Sequence, residues 1–243
     1  MPSRPLLCLV PGLLCDATVW APQREAFAGS NDIHVAELWG LDSFDAMARK
    51  TLAETSGPLT VAGHSMGARV ALEMWRLAPE RIERLALMST GVHAARPAEE
   101  GPRMALVRLA QQQGMVALVE AWLRGMVHPD RWNDEALIRP LAEMIGRATP
   151  EIFEGQQRAG LSRPDATGYL ARIACPTLIA CGRQDSWSPL LRHEEMARAL
   201  PGSTLAVFED CGHMATVERP EAVIQAMAHW LHLPAGQKET ASP

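Results

Sequence analysis

The sequence predicts an α/β protein: a doubly wound, mostly parallel sheet carrying a helical cap insertion. Three observations lead there. Six runs of strand length are apolar almost without a break, as strands buried on both faces are. Segments with helical spacing separate them, so the two element types alternate along the chain. One long interval, residues 91–174, holds helical patterns alone.

In chain order, "PLLCLV" (5–10) is the first expected strand, and the Pro11-Gly12 pair turns the chain at its end. "DIHVAEL" (32–38) is the second, followed by helical spacing over 43–54. "LTVAG" (59–63) runs into a helical pattern over 66–78, and "RLALMST" (84–90) closes this half. The interval 91–174 contains amphipathic segments near 102–113, 115–127, 134–147 and 150–159, broken by Gly and Pro. It reads as an insertion covering one edge of the sheet rather than a separate domain, because strand-like runs resume after it. These are "PTLIACG" (176–182) and "STLAVFE" (203–209), each followed by a helical stretch, 190–200 and 219–232. The expected organisation is a core built from residues 1–90 and 175–233, an insertion over 91–174, and a small, polar, disordered tail over 234–243.

Composition narrows the function classes. At 243 residues, with 47% hydrophobic and 21% charged side chains, the chain can bury a full core. A net charge of −5 leaves no electrostatic footprint for nucleic acid. Lysine occurs only at Lys50 and Lys238, the arginines are scattered, and no window holds 18 uninterrupted apolar residues, so no membrane partner is expected. Arg4 and the apolar run after it imitate a short signal peptide. Pro11-Gly12 interrupts that run, however, and no small-residue cleavage site follows, so a buried strand accounts for it better. The five cysteines form an odd set without a CxxC spacing, which favours reduced thiols in a cytoplasm over a disulfide framework or a zinc site.

The stretch Gly63-His64-Ser65-Met66-Gly67 matches G-x-S-x-G and sits between an expected strand and an expected helix. A nucleophile held on so tight a turn has a strained backbone, and side chains at the flanking glycines would collide with it. The turn lifts the Ser65 hydroxyl to the N-terminus of the following helix, where amides and dipole favour developing negative charge. The plainer alternative is a strand-to-helix turn in which Gly and Ser only reverse the chain and cap the helix. Serine needs a base, because its free hydroxyl is a poor nucleophile at neutral pH. Among the histidines only His213, in "EDCGHMATVERPE" (209–221), follows a strand end in a tight Gly-flanked loop. The base needs a carboxylate to fix its tautomer. Asp185, in "LIACGRQDSWSP" (178–189), follows the preceding strand; its alternative role is to cap the next helix. Asp210 is the rival, but it shares a loop with His213 and would have to fold back on it.

The order Ser65, Asp185, His213, each after a strand, resembles the α/β-hydrolase family, in its small lidded esterase and lactonase branch. The resemblance spans Leu6 to about Leu231, and it makes the inserted region the family's helical cap or lid. In that family the first strand's turn usually reads His-Gly, followed by a residue whose amide helps to bind an oxyanion. Here it reads "VPGLLCD", with Pro11 in place of the His. By position Leu13 supplies one N–H and Met66 the other, with Leu14 the less suited donor.

The insertion's Met104, Met115, Trp122, Met126, Trp132, Met144 and Phe153 are expected mostly as core, with a minority facing the site. Trp187, Leu14 and Cys15 are expected beside the substrate. Arg103, Arg108 and Arg124 are candidates for a substrate carboxylate, but solvated helix faces explain them equally well. The resemblance implies a serine hydrolase that cleaves a small carboxylic ester or lactone through an acyl-enzyme, needing no metal or organic cofactor. The same three groups also serve carbon–carbon bond hydrolysis, thioester cleavage or a synthase-type elimination, and a receptor of slow turnover is the rival from another class. With no basic cluster visible in the sequence, neutral substrates with short and medium acyl chains are expected to outrun heavily charged ones.

Overall fold

A computed structural model describes residues 4–234, so all of the expected tail but Pro234 lies outside the described residues. Its strands are β1 (Leu6–Val10), β2 (Asp32–Val35), β3 (Leu59–His64), β4 (Ile82–Met88), β5 (Thr177–Gly182) and β6 (Thr204–Phe208). They form one six-stranded sheet in the order β2-β1-β3-β4-β5-β6, with every neighbouring pair parallel. Strands β3 and β5 are wholly buried, whereas the edge strands β2 and β6 are mostly half-exposed. This is the burial that apolar central runs and weaker edge runs call for. The second run yields only four strand residues of the expected seven, as befits an edge with a single partner.

The helices are α1 (Ala21–Phe27), α2 (Phe44–Ala53), α3 (Met66–Leu77), α4 (Glu100–Trp122), α5 (Glu135–Gly146), α6 (Pro150–Leu161), α7 (Leu190–Ala199), α8 (Ala215–Glu218) and α9 (Pro220–His232). Side chains alternate across the sheet, as the period of a strand requires. Leu7 and Leu9 of β1 pack with Val223, Met227 and Trp230 of α9. Cys8 and Val10, between and beyond them, pack on the opposite face with Met47 of α2 and Val70 and Met74 of α3. Two cores, one on each face, are what a doubly wound sheet buries. Helix α1 has no counterpart in the sequence reading, because seven residues are too few to show a helical period.

The chain between β4 and β5 is helical, as expected, and its four segments correspond to α4 (interrupted at Gly114, φ 81°), α5 and α6. Its position differs from the expectation of a covered sheet edge. β4 and β5 are adjacent interior strands, so the insertion leaves and re-enters at the sheet's centre. Residues of α4 and α6 instead line a cavity together with Ser65 and His213, above the carboxyl ends of the strands. The five cysteines are free thiols, four of them buried. Among the described residues no helix is long and apolar enough to cross a membrane.

Candidate active site

Ser65 stands where β3 passes into α3, with φ 56° and ψ −117°, a backbone conformation that an L-residue holds only under constraint. The constraint is visible on both sides. A Cβ on Gly67 would overlap the carbonyl oxygens of Val10 and Pro11, and one on Gly63 would overlap Gly67 and Ala68. Only glycine lets β1, the turn and α3 approach this closely. The Ser65 N–H donates to the Met88 carbonyl at 2.8 Å, which ties the turn to the end of β4.

The Ser65 Oγ lies 2.8 Å from His213 Nε2. On the far side of the ring, Nδ1 lies 2.9 Å from Asp185 Oδ2 and 3.0 Å from Oδ1. Asp185 Oδ1 also accepts the Trp187 and Ser188 amides at 2.9 and 2.8 Å, so its orientation is fixed by its own loop. Burial by itself pushes the Asp185 carboxyl up. The His213 ring, its hydrogen bond and the Ser188 amide outweigh that and hold the carboxyl below its ordinary range. The rival Asp210 is exposed and pairs with Arg219 at 3.3 Å, away from the histidine.

Three groups to which the sequence assigned no such role hold the His213 loop. The buried His64 Nε2–H donates to the His213 carbonyl at 2.8 Å, and burial, with the neighbouring His213, lowers the His64 ring to about 4, so it stays neutral. Glu218, buried, accepts the backbone amides of His128, Gly212 and Met214 at 2.7, 3.1 and 3.0 Å. The Met126 carbonyl accepts the His213 amide at 2.8 Å. The available signal was the carboxylate in "VERPE", but its partners are main-chain atoms, one of them 90 residues away.

A cavity of about 500 Å³ opens on Ser65 and His213. Leu13 and Met66 line it, and among the described residues neither of their amides donates to a protein acceptor. Trp187 lines it too, its ring 5.2 Å from the His213 ring and 5.0 Å from that of Trp122. Leu14, expected beside the substrate, is not part of the lining. Its φ of 58° takes it into the core, where it is fully buried and its N–H donates to Gln156 Oε1 at 2.7 Å. Cys15 lines a second cavity of about 280 Å³ with Trp39 and Arg147. Of the three arginines singled out in the insertion, Arg103 reaches the first cavity, and Arg108 and Arg124 do not. Arg103 is joined there by Arg69, Arg96, Arg163 and Arg192, against a single carboxylate, Glu99. The chain therefore carries a basic cluster that its scattered arginines had hidden.

A model of the alpha/beta hydrolase family matches residues 4–226. The (E)-2-((N-methylformamido)methylene)succinate hydrolase of Acinetobacter baylyi is 26% identical over 244 residues, which cover 93% of this chain and 89% of that protein. The pimeloyl-(acyl-carrier protein) methyl ester esterase of Nitrosomonas europaea is 26% identical over 237 residues, covering 90% and 93%. Among solved structures, a thermophilic esterase from Thermogutta terrifontis with malate bound superposes with a TM-score of 0.85 at 28% identity, covering 94% of this chain and 90% of that one.

Proposed function

This chain belongs to the alpha/beta hydrolase family, and on that footing we propose that it is a serine hydrolase cleaving a small carboxylic ester or lactone through an acyl-enzyme. The observation that carries the reading is the continuous line from Ser65 Oγ through the His213 ring to the Asp185 carboxylate, with both links at 2.8–3.0 Å.

In the proposed mechanism the Ser65 oxygen attacks the substrate carbonyl carbon while His213 Nε2 takes its proton. Asp185 holds the ring so that Nδ1 keeps its hydrogen, and it stabilises the imidazolium that forms. The carbonyl oxygen, now negative, takes hydrogen bonds from the Leu13 and Met66 amides. The tetrahedral adduct collapses, and the leaving alcohol oxygen receives the proton from His213. Water then attacks the acyl-enzyme by the same steps in reverse, releasing the acid and restoring Ser65. Residues 91–174 act as a lid that closes the cavity and screens the acyl-enzyme from bulk water. The free state of all five thiols supports a cytoplasmic location. The hydrolase and the two esterases described above are named for a substituted succinate, for a methyl ester on an acyl-carrier protein and for bound malate, which supports a carboxylic acid derivative as substrate.

The test is active-site labelling with a fluorophosphonate, read beside turnover of 4-nitrophenyl esters. Wild type should be labelled and Ser65→Ala should not, with turnover falling ~10³-fold or more. Labelling that persists in Ser65→Ala would remove the assignment. Labelling without turnover of any ester, lactone or thioester would favour the receptor reading.

A further inference from the structure

We propose that the cavity beside Ser65 recognises a substrate carrying a free carboxylate at its non-reacting end, and that Arg192 is the side chain that binds it. The inference rests on the serine-hydrolase reading and adds the substrate class to it.

The charge balance of the lining comes first. Five guanidiniums face one carboxylate, in a chain whose net charge is −5. A cleft with one sign of charge and low-dielectric walls focuses its field and concentrates ligands of the opposite sign. Most of these cations are already engaged. Arg163 and Arg103 both pair with Glu99, at 2.6 and 3.3 Å. Arg69 is buried, and its guanidinium donates to the carbonyls of Gly91, His93 and Pro164. Arg96 is exposed at the rim. Arg192 is half-buried, and among the described residues it has neither an ion pair nor a side-chain hydrogen bond. Arg96 likewise has no ion pair among the described residues, but it lies in solvent; Arg192 is the half-buried guanidinium whose donors are still to be used.

Its mounting is the second argument. Arg192 lies in the first turn of α7, and its side chain runs across Gly91, where a Cβ would come 3.4 Å from Arg192 Cδ. The next residue, His193, is fully buried and accepts the Thr90 N–H on Nε2 at 2.9 Å. Thr90 Oγ1 in turn donates to the Ser65 carbonyl at 3.1 Å. The backbone that carries Arg192 is thus fixed to the backbone that carries Ser65 through two hydrogen bonds. A planar guanidinium mounted on that backbone, in the cavity that Ser65 also lines, offers parallel N–H donors that match a carboxylate and not a neutral ester end.

The experiment compares kcat/KM for two pairs matched in carbon skeleton. Mono-4-nitrophenyl glutarate against 4-nitrophenyl pentanoate puts the charge on the acyl side, and acetoxyacetate against ethyl acetate puts it on the alcohol side. The charged member should win by about tenfold or more in at least one pair, the scale of one charge-assisted bidentate contact. Arg192→Ala should abolish that ratio, Arg192→Lys should restore part of it, and Arg198→Ala, exposed on the same helix, should leave it in place. Fluorophosphonate labelling of each variant reports Ser65 separately, so loss of the nucleophile reading and loss of this one are told apart. A readout without turnover is calorimetry on Ser65→Ala. Monomethyl glutarate should bind more tightly than dimethyl glutarate, and adding Arg192→Ala should remove the difference. Equal rates and equal binding for charged and neutral partners, or a preference that survives Arg192→Ala, would overturn the proposal.

Discussion

Asp185 and Asp210 lie 25 residues apart in sequence and differ completely in what they touch. One is buried against the His213 ring; the other is exposed beside Arg219. Asp185→Asn should therefore lower kcat by ~10³-fold or more, because an amide cannot hold the ring's tautomer or stabilise its charge. Asp210→Asn should stay within about twofold, as surface ion pairs contribute little. Comparable losses from both variants, each folded by circular dichroism, would reverse the choice. Ser65, His213 and Asp185 were legible in sequence because each closes a strand inside a recognisable turn. Leu14 was not, since its positive φ, which sends it into the core, leaves no mark on a leucine. His64 and Glu218 were equally hidden, because they grip backbone atoms, and any residue supplies those.

Among the elements, the insertion is secured at its base by Glu99, which sits just before α4 and pairs with Arg103 on α4 and Arg163 just beyond α6. The hydrogen bond from Arg163 holds the Glu99 carboxyl down at about 2, against a partial burial that pushes it up. Its folded value thus lies below the ordinary one. The stability it contributes is complete above about pH 5 and is lost as pH falls through the ordinary carboxylate range toward 2. Because the group is partly in solvent, the contribution at neutral pH is about 1 kcal/mol rather than what the full shift implies. In urea melts, Glu99→Gln should be less stable than wild type by this amount at pH 7, and the gap should narrow steadily toward pH 3. A gap independent of pH would show that the clip works by shape alone. The four helical segments of the insertion were readable from their spacing, but their position over the strand ends was not. That depends on which strands are neighbours, and the strand order leaves no local trace.

For the molecule as a whole, the alternation of runs was enough to give a doubly wound sheet, since central strands buried on both faces must be apolar throughout. The site's electrostatics were unreadable for the opposite reason. Arg69, Arg96, Arg103, Arg163 and Arg192 are scattered over more than half of the chain and meet only at the cavity. An acidic protein with a cationic mouth should draw anionic substrates inward, and salt should weaken that pull, since at 0.1 M the screening length is about 10 Å. kcat/KM for mono-4-nitrophenyl glutarate should fall about threefold or more between 0.02 and 0.3 M salt, a span over which such steering is largely screened, while that for 4-nitrophenyl pentanoate stays level. Parallel salt responses for the two esters would show that the arginines act at short range or not at all.

The strand order also governs how the chain can assemble. β1 to β4 are complete within the first 88 residues and already neighbour one another. β4 then waits for β5, its next partner, whose Thr177 aligns with Leu85 across the whole helical insertion. Closing a loop of that length is slow, because its entropic cost comes before the new strand contacts return anything. During that delay β4 is an open, apolar edge, the kind of surface on which nascent chains pair with one another. The same connection that spans the cavity in the finished protein thus sets its period of greatest vulnerability during synthesis. Ser65 is in place on one side of that interval, and Asp185 and His213 arrive on the other.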